Sequence, residues 1–176
     1  FNVLNGGRHA ENSTDIQEFM VVPAGFETFR RSVQAGSEVF NTLRRLLSEK
    51  GFGTAVGDEG GFAPEVSSNR QAIELVLQAI EMTGYTPGRH CFIALDVAAS
   101  ELLGPEGKYL FNKEGNVRSS IELVDEYQQL VEEYPIISIE DGLADQDWPG
   151  WIEMTGRLSS MVQLVGDDLY ATNPRL

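Results

Sequence analysis

The sequence has little cysteine, few basic side chains and no long apolar run. Cys91 is the only cysteine in the 176 residues, so the chain cannot form an internal disulfide, which fits a reducing, cytoplasmic setting. No apolar stretch approaches the ~18 residues that a membrane-spanning helix needs. With 13 Lys and Arg against 27 Asp and Glu, the formal net charge of −14 disfavours nucleic acid and anionic lipid as partners.

Repeats, low-complexity tracts and Pro/Gly-rich linkers are also missing, so residues 1–176 are predicted to form one domain. The chain opens on Phe1 without a methionine, and it opens inside a predicted strand. We therefore expect an internal part of a longer protein.

Hydrophobic periodicity predicts strands alternating with helices. The strand-like runs are Asn2–Asn5, Ile16–Pro23, CFIALD, IISIED and QLVGDD. The first helix carries an apolar face made of Phe29, Val33, Gly36, Phe40, Leu43 and Leu47. A second helix carries Ile73, Val76, Leu77 and Ile80, a third carries Leu123, Val124, Tyr127, Leu130 and Val131, and a short fourth covers Trp151–Leu158. Gly51 and Gly84 are expected to end the first two helices, and a small hairpin is predicted at Lys108–Phe111.

Short apolar strands between helices are typical of parallel strands buried on both faces. Five such strands with a paired start do not fit a doubly wound sheet. They do fit about five of the eight strands of a TIM (β/α) barrel, a fold of ~250 residues. The predicted fold class is therefore α/β, a partial barrel that opens strand–strand–helix–helix and whose remaining strands lie elsewhere in the longer protein.

Acidic residues end three of the predicted strands: Asp96 after FIAL, Glu140 after IISI and Asp167 after LVG. Parallel barrel strands deliver their carboxyl ends to one rim, so these side chains are expected to converge. Carboxylates that converge need a counter-charge, and oxygen ligands without Cys favour Mg²⁺ or Mn²⁺ over Zn²⁺. The alternatives are that the acids cap the following helices, or that the acid excess serves only solubility.

Each strand end also offers a second acid, because Asp141 follows Glu140 and Asp168 follows Asp167. Side chains alternate along a strand, so one member of each pair faces the mouth of the barrel. The pattern leaves the choice open, and we take the first acid of each pair because it directly ends the apolar run.

Two loops hold further candidates. In AVGDEGGFAP the glycines allow a sharp turn that brings Glu59 close to a substrate, where its carboxyl could act as a general acid, although an ordinary exposed turn explains the motif equally well. The stretch GGRHAENSTDIQEFM contributes His9, Gln17 and Glu18. A single histidine on a loop is more often structural than functional.

Six stretches together resemble the enolase family in order along the chain. They are NGGRHAEN, DIQEFM, AVGDEGGFAP, ALDVAAS, SIEDGL and LVGDDLYATNP. The resemblance extends from Asn2 to Pro174 and implies the first part of the C-terminal enolase barrel, in which the second strand runs antiparallel to the first. It also implies a lyase that reversibly dehydrates 2-phosphoglycerate to phosphoenolpyruvate in glycolysis, and a cytoplasmic protein that forms homodimers or larger homo-oligomers.

The resemblance assigns roles to the candidate residues. Asp96, Glu140 and Asp167 would bind the Mg²⁺ that holds the substrate carboxylate, so Glu140 and Asp167 would also contribute to substrate binding. Glu59 would protonate the departing hydroxyl, with Glu18 and Gln17 assisting. His9 would lie on a loop that closes over the phosphate end of the substrate.

The chain also departs from the family pattern. The family base is a lysine on a later barrel strand, whereas the lysines here are Lys50, Lys108 and Lys113, at a helix end, in the hairpin and in the loop after it. We expect the N-terminal domain and the last barrel strands to lie outside this chain, and we therefore expect an active parent enolase and an inactive isolated segment. The alternatives are another enolase-superfamily enzyme, such as a racemase or cycloisomerase, which would lack the GDEGG and DIQEF elements, and a non-catalytic barrel fragment that serves binding or assembly.

Overall fold

The computed structural model describes residues 1–10, 13–57 and 59–175, apart from the His9 side chain. Its strands are β1 Asn2–Asn5, β2 Glu18–Val22, β3 Phe92–Asp96, β4 Tyr109–Phe111, β5 Asn116–Arg118, β6 Ile136–Glu140 and β7 Gln163–Val165. Five of them form one sheet in the order β1-β2-β3-β6-β7, and β4 and β5 form a separate hairpin. The five strands do not close on themselves, so the fold is a partial barrel.

The direction of β2 distinguishes this sheet from a uniformly parallel one. β2 runs antiparallel to both β1 and β3, whereas β3, β6 and β7 run parallel to one another. This confirms the antiparallel second strand. The reversed direction brings the first residue of β2 to the same edge as the last residues of β3 and β6, and that edge carries the candidate site.

The described residues form four α-helices: α1 Phe29–Glu49, α2 Asn69–Met82, α3 Ser120–Glu133 and α4 Trp148–Leu158. Each begins at a side chain that accepts a backbone N–H: Thr28, Ser68, Ser119 and Asp147. Gly51 and Gly84 follow α1 and α2 with φ of 81° and 83°, the left-handed conformation that ends a helix. The predicted helices and their two glycine ends are confirmed.

The predicted buried face of α1 was wrong at its start. Phe29 is 85% exposed and Val33 is 39% exposed. The buried residues of the helix are Ala35, Gly36, Val39, Leu43, Leu46 and Leu47. Periodicity identifies the apolar face of a helix but not how much of that face packs against other elements. Among the described residues, α1 becomes buried only from its second turn, at Ala35.

The core lies between the sheet and the helices. The middle of β3 is buried, with Ile93, Ala94 and Leu95 at most 5% exposed, as expected for a strand covered on both faces. The β4–β5 hairpin adds Tyr109 and Phe111 to the same core. No helix in the described part of the chain is long and apolar enough to cross a membrane.

Candidate active site

Strand register aligns three carboxylates at one edge of the sheet. Glu18 pairs with Asp96 across the antiparallel β2–β3 ladder, and Asp96 pairs with Glu140 across the parallel β3–β6 ladder. Residues that pair directly across neighbouring strands project to the same face. All three are partly buried. Hydrogen bonding of the backbone therefore forces three acidic side chains from three strands into one row.

Asp96 lies at the centre of this row, and its environment opposes ionisation. Burial is the main cause that raises the pKa of Asp96 to about 7, followed by the charges of Glu140 and Glu18. The N–H of Ala98 donates to Asp96 Oδ1 at 3.1 Å and partly offsets these effects. A bound cation would supply the missing counter-charge, so the ionised Asp96 carboxylate would then be favoured and could act as a ligand.

Asp141, the alternative to Glu140 in the sequence, also lies at this edge. One carboxylate oxygen from each of Asp96, Glu140 and Asp141 falls within 4.8 Å of the others. Asp141 is buried and has a φ of 42°, a left-handed conformation that is uncommon for a residue with a side chain. Its backbone thus turns sharply where β6 ends, and its carboxylate points differently from the strand alternation that the prediction assumed.

The Asp141 carboxylate is occupied by backbone donors. Its Oδ1 accepts the N–H groups of Asp167 at 3.1 Å and Leu169 at 3.4 Å, and its Oδ2 accepts the N–H of Asp168 at 2.8 Å. These three donors form the turn that follows β7. Asp141 therefore fixes the backbone from which Asp167 extends.

Asp167 follows β7 beside the row but is not one of the three carboxylates within 4.8 Å. Its charge nevertheless reaches the site: the pKa of Glu140 is raised first by burial, then by Asp141 and Asp167. The structure thus brings Asp96 and Glu140 together and puts Asp167 on an exposed turn next to them. Its role as the third metal ligand stays a prediction.

The donor set fits a hard divalent cation. Every candidate ligand is a carboxylate oxygen, the type that Mg²⁺ prefers. No ion pair between described residues involves Asp96, Glu140, Asp141 or Asp167, so no Arg or Lys there neutralises the cluster by a direct contact. Asp96 and Glu140 are therefore better suited to holding a metal ion than to stabilising the fold by salt bridges.

The loop that carries Glu59 is docked on β1. Val56 and Phe62 bridge to each other, and the Phe62 carbonyl accepts the N–H of Asn5 at 2.8 Å. At Gly61 a Cβ would overlap the side-chain oxygen of Asn5, so only glycine allows this approach. Glu59 is exposed at the tip of the loop.

His9, Gln17 and Glu18 belong to the connection between β1 and β2 and its end. Gly7–His9 form one 3₁₀ turn, whereas the side chain of His9 lies outside the described residues. Gln17 is partly buried, and its carbonyl accepts the N–H of Gly6 at 2.8 Å. Gln17 and Glu18, the predicted assistants of the acid Glu59, thus lie at the end of this connection, where it enters the same edge as the carboxylate row.

A comparison of the sequence with protein families identifies the fold. The model of the enolase C-terminal TIM barrel domain matches residues 1–176. The chain belongs to this family. Membership agrees with the partial barrel and its antiparallel β2, and it supports an enolase-superfamily lyase with a carboxylate cluster compatible with a divalent cation.

Sequence reasoning missed the contacts of three polar residues near the candidate site. Asp141 was weighed only as an alternative ligand, although it holds the turn after β7. Asp15 lies in the β1–β2 connection and Asn69 contacts it, and neither was considered. A polar run such as NSTD directly before a strand is a signal for side chains that cap backbone groups, and it could have indicated Asp15.

Proposed function

We propose that the full-length protein that carries this domain catalyses the reversible, Mg²⁺-dependent dehydration of 2-phosphoglycerate to phosphoenolpyruvate, a late step of glycolysis. The observation that supports the proposal most strongly is the row formed by Glu18, Asp96 and Glu140 on three neighbouring strands, in a chain of the enolase family. Three ionised carboxylates in one row repel one another unless a cation supplies the counter-charge or one of them is protonated.

Asp96, Glu140 and Asp167 are proposed as the Mg²⁺ ligands, and through the ion Glu140 and Asp167 would also bind the substrate. The ion, when bound, would neutralise the substrate carboxylate and the negative charge that develops when the neighbouring proton leaves. Asp141 orients the turn of Asp167 through its three backbone contacts. Four carboxylates thus have two tasks, three in ligation and one in orientation.

The other side of the substrate is assigned to the β1–β2 connection and the glycine-rich loop. Glu59 is proposed as the general acid that protonates the departing hydroxyl, with Glu18 and Gln17 assisting around that group. His9 is proposed to contact the phosphate end. Glu59 lies exposed at the tip of the glycine-rich loop, where a movement of that loop could bring it to a bound substrate.

The catalytic base is proposed to come from a part of the protein outside residues 1–176. Lys50 follows α1, Lys108 precedes β4 and Lys113 lies in the hairpin turn. None of the three ends a strand of the five-stranded sheet. We therefore propose that the isolated segment is inactive and that activity requires the full-length protein, which we expect to be cytoplasmic and a homodimer or larger homo-oligomer.

An absorbance assay for phosphoenolpyruvate tests the function in the full-length protein and in the segment. Turnover of 2-phosphoglycerate should require Mg²⁺ and should disappear with EDTA. Asp167→Ala should weaken Mg²⁺ binding, measured by calorimetry. Glu59→Gln should leave Mg²⁺ binding within about twofold and reduce kcat by ~10²–10⁴-fold, the usual contribution of a general acid.

Three outcomes would contradict parts of the proposal. A full-length protein without turnover would refute the reaction itself. Unchanged kcat in Glu59→Gln would refute Glu59 as the acid. Turnover by the isolated 176 residues would show that the base lies within this chain.

A further inference from the structure

The end of the β1–β2 connection is buried to an unusual degree for a polar loop. Thr14, Asp15 and Ile16 are 3%, 6% and 1% exposed. Buried polar groups in proteins almost always have hydrogen-bond partners, and a buried carboxylate is costly without them. The partners of this segment, defined here as residues 14–16, show what it is built to do.

The first partner is the turn of the β4–β5 hairpin. The N–H of Lys113 donates to both carboxylate oxygens of Asp15, at 3.0 and 3.1 Å, and the N–H of Glu114 donates to its Oδ2 at 3.2 Å. Charged acceptors form the stronger class of hydrogen bond. Asp15 therefore ties the segment to a hairpin almost one hundred residues further along the chain.

The second partner is the first residue of α2. The side-chain oxygen of Asn69 accepts the N–H of Ile16 at 3.1 Å and also the hydroxyl of Thr14. The backbone N–H of Asn69 donates to Glu114 Oε1 at 3.0 Å, and Glu114 is in turn paired with Arg118 at 2.9 Å. Helix, hairpin and segment are thus connected in one closed network.

The segment also fixes the backbone of neighbouring residues in the proposed site. The Thr14 carbonyl accepts the N–H of Gly7 at 2.7 Å, and Gly7 begins the 3₁₀ turn that includes His9. The next residue after the segment is Gln17, whose carbonyl holds the N–H of Gly6. The turn that includes His9 and the backbone of Gln17 therefore take their position from residues 14–16.

We infer that Asp15 and Asn69 are positioning residues for the proposed reaction: they fix the connection that carries His9 and Gln17 without contacting the reacting groups. The inference rests on the proposed function. It separates the site into two halves. The metal side depends on β3, β6 and the Asp141 turn, whereas the side that carries His9 and Gln17 depends on segment 14–16 and, through it, on the β4–β5 hairpin.

Asp15→Asn in the full-length protein tests this separation. The amide keeps the shape of the side chain but presents one acceptor oxygen and an N–H₂ group to the two backbone donors. A displacement of about 1 Å in a positioning element can reduce a rate by ~10²-fold. We expect kcat to fall 10- to 100-fold and the KM for 2-phosphoglycerate to rise, because the proposed phosphate contact of His9 is displaced as well, while the Kd for Mg²⁺ stays within about twofold.

Asp125→Asn is the matched control, because it makes the same chemical change at a half-exposed carboxylate that pairs with Arg157. It should leave kcat unchanged. Asn69→Ala is the second test variant, since it removes both side-chain contacts of Asn69 with segment 14–16, and it should give the same fall in kcat with unchanged Mg²⁺ binding. It also decides the matter if Asp15→Asn does not fold.

Hydrogen exchange gives the direct readout of position: in both variants amide protection should decrease at residues 14–18 and not at β3 or β6. Unchanged kcat in folded variants would overturn the inference. So would a parallel loss of kcat, Mg²⁺ affinity and protection across the whole sheet, because that pattern indicates general destabilisation. An inactive wild type would overturn the proposed function and this inference with it, whereas an active wild type with unaffected variants would overturn the inference alone.

Discussion

Replacing Asp141 with alanine separates the two roles that its position allows, ligand or support. Its carboxylate oxygen lies within 4.8 Å of those of Asp96 and Glu140, yet it accepts three backbone N–H groups from the turn after β7. We expect support to be its role. The Asp141→Ala variant should therefore weaken Mg²⁺ binding indirectly, by releasing the turn that carries Asp167.

The magnitude follows from the three contacts. Hydrogen bonds to a charged acceptor contribute ~1.5–3 kcal/mol each. Asp167 and Asp168 are exposed, so water replaces part of what their N–H groups lose, and burial raises the pKa of Asp141, which means that desolvation already offsets part of the gain. The net cost to the free energy of unfolding is therefore about 2–4 kcal/mol. The Kd for Mg²⁺ should rise 10- to 100-fold, as is typical when a residue that orients a ligand is removed.

Calorimetric titration with Mg²⁺ and urea unfolding without metal measure the two effects in the full-length protein. Asp141→Asn should lie between wild type and Asp141→Ala, since its amide oxygen can still accept from the turn. Asp167→Ala provides the comparison. If Asp141→Ala abolished Mg²⁺ binding while Asp167→Ala left it intact, Asp141 would be the ligand and the support argument would be wrong.

Three further predictions concern other parts of the molecule. Cys91 is fully buried and burial raises its pKa to about 11, so at pH 8 only ~0.1% of the thiol is ionised. Mass spectrometry should therefore find Cys91 unmodified by a disulfide reagent in the native protein and fully modified in denaturant. Rapid labelling of the native protein would contradict its burial. Gly61→Ala should lower both Tm and kcat, because a Cβ at this position overlaps the Asn5 side chain. Gly156→Ala in α4 should raise the free energy of unfolding by ~0.5–1 kcal/mol, because a Cβ there meets nothing within 4 Å. An equal effect of the two changes on Tm would refute the reasoning. Ser119→Ala removes the capping box of α3 and should cost ~1 kcal/mol in urea unfolding, and a midpoint equal to wild type would show that the cap contributes nothing.

The order of elements could be predicted from the sequence because each element is short and strongly patterned. FIALD and IISIE are apolar runs bounded by turns, and they became β3 and β6 as expected. The antiparallel direction of β2 had no signal in periodicity, since alternation is the same whichever way a strand runs. That direction came from the family resemblance, and it is what brings Glu18 into the carboxylate row.

The predictions were weakest where a residue's task depends on distant backbone. Phe29 looked like part of a buried face, but nothing in a helical pattern tells how far the neighbouring elements reach. Asp15 gives no sign in the sequence that its partners are the N–H groups of Lys113 and Glu114. Contacts of this kind depend on how loops meet after the sheet has formed, so local patterns do not encode them.

The choice between neighbouring acids illustrates the same limit at the centre of the site. Glu140 and Asp141 are adjacent, and strand alternation predicts that they point to opposite faces. Alternation fails at Asp141 because its φ of 42° ends the strand, which returns its carboxylate to the edge beside Glu140. The Asp141 carboxylate accepts three backbone N–H groups and already holds a turn. Glu140 has no such donors among the described residues, so its carboxylate remains available to a cation. The assignment of Glu140 as ligand therefore rests on the contacts of its neighbour rather than on its own position in the sequence.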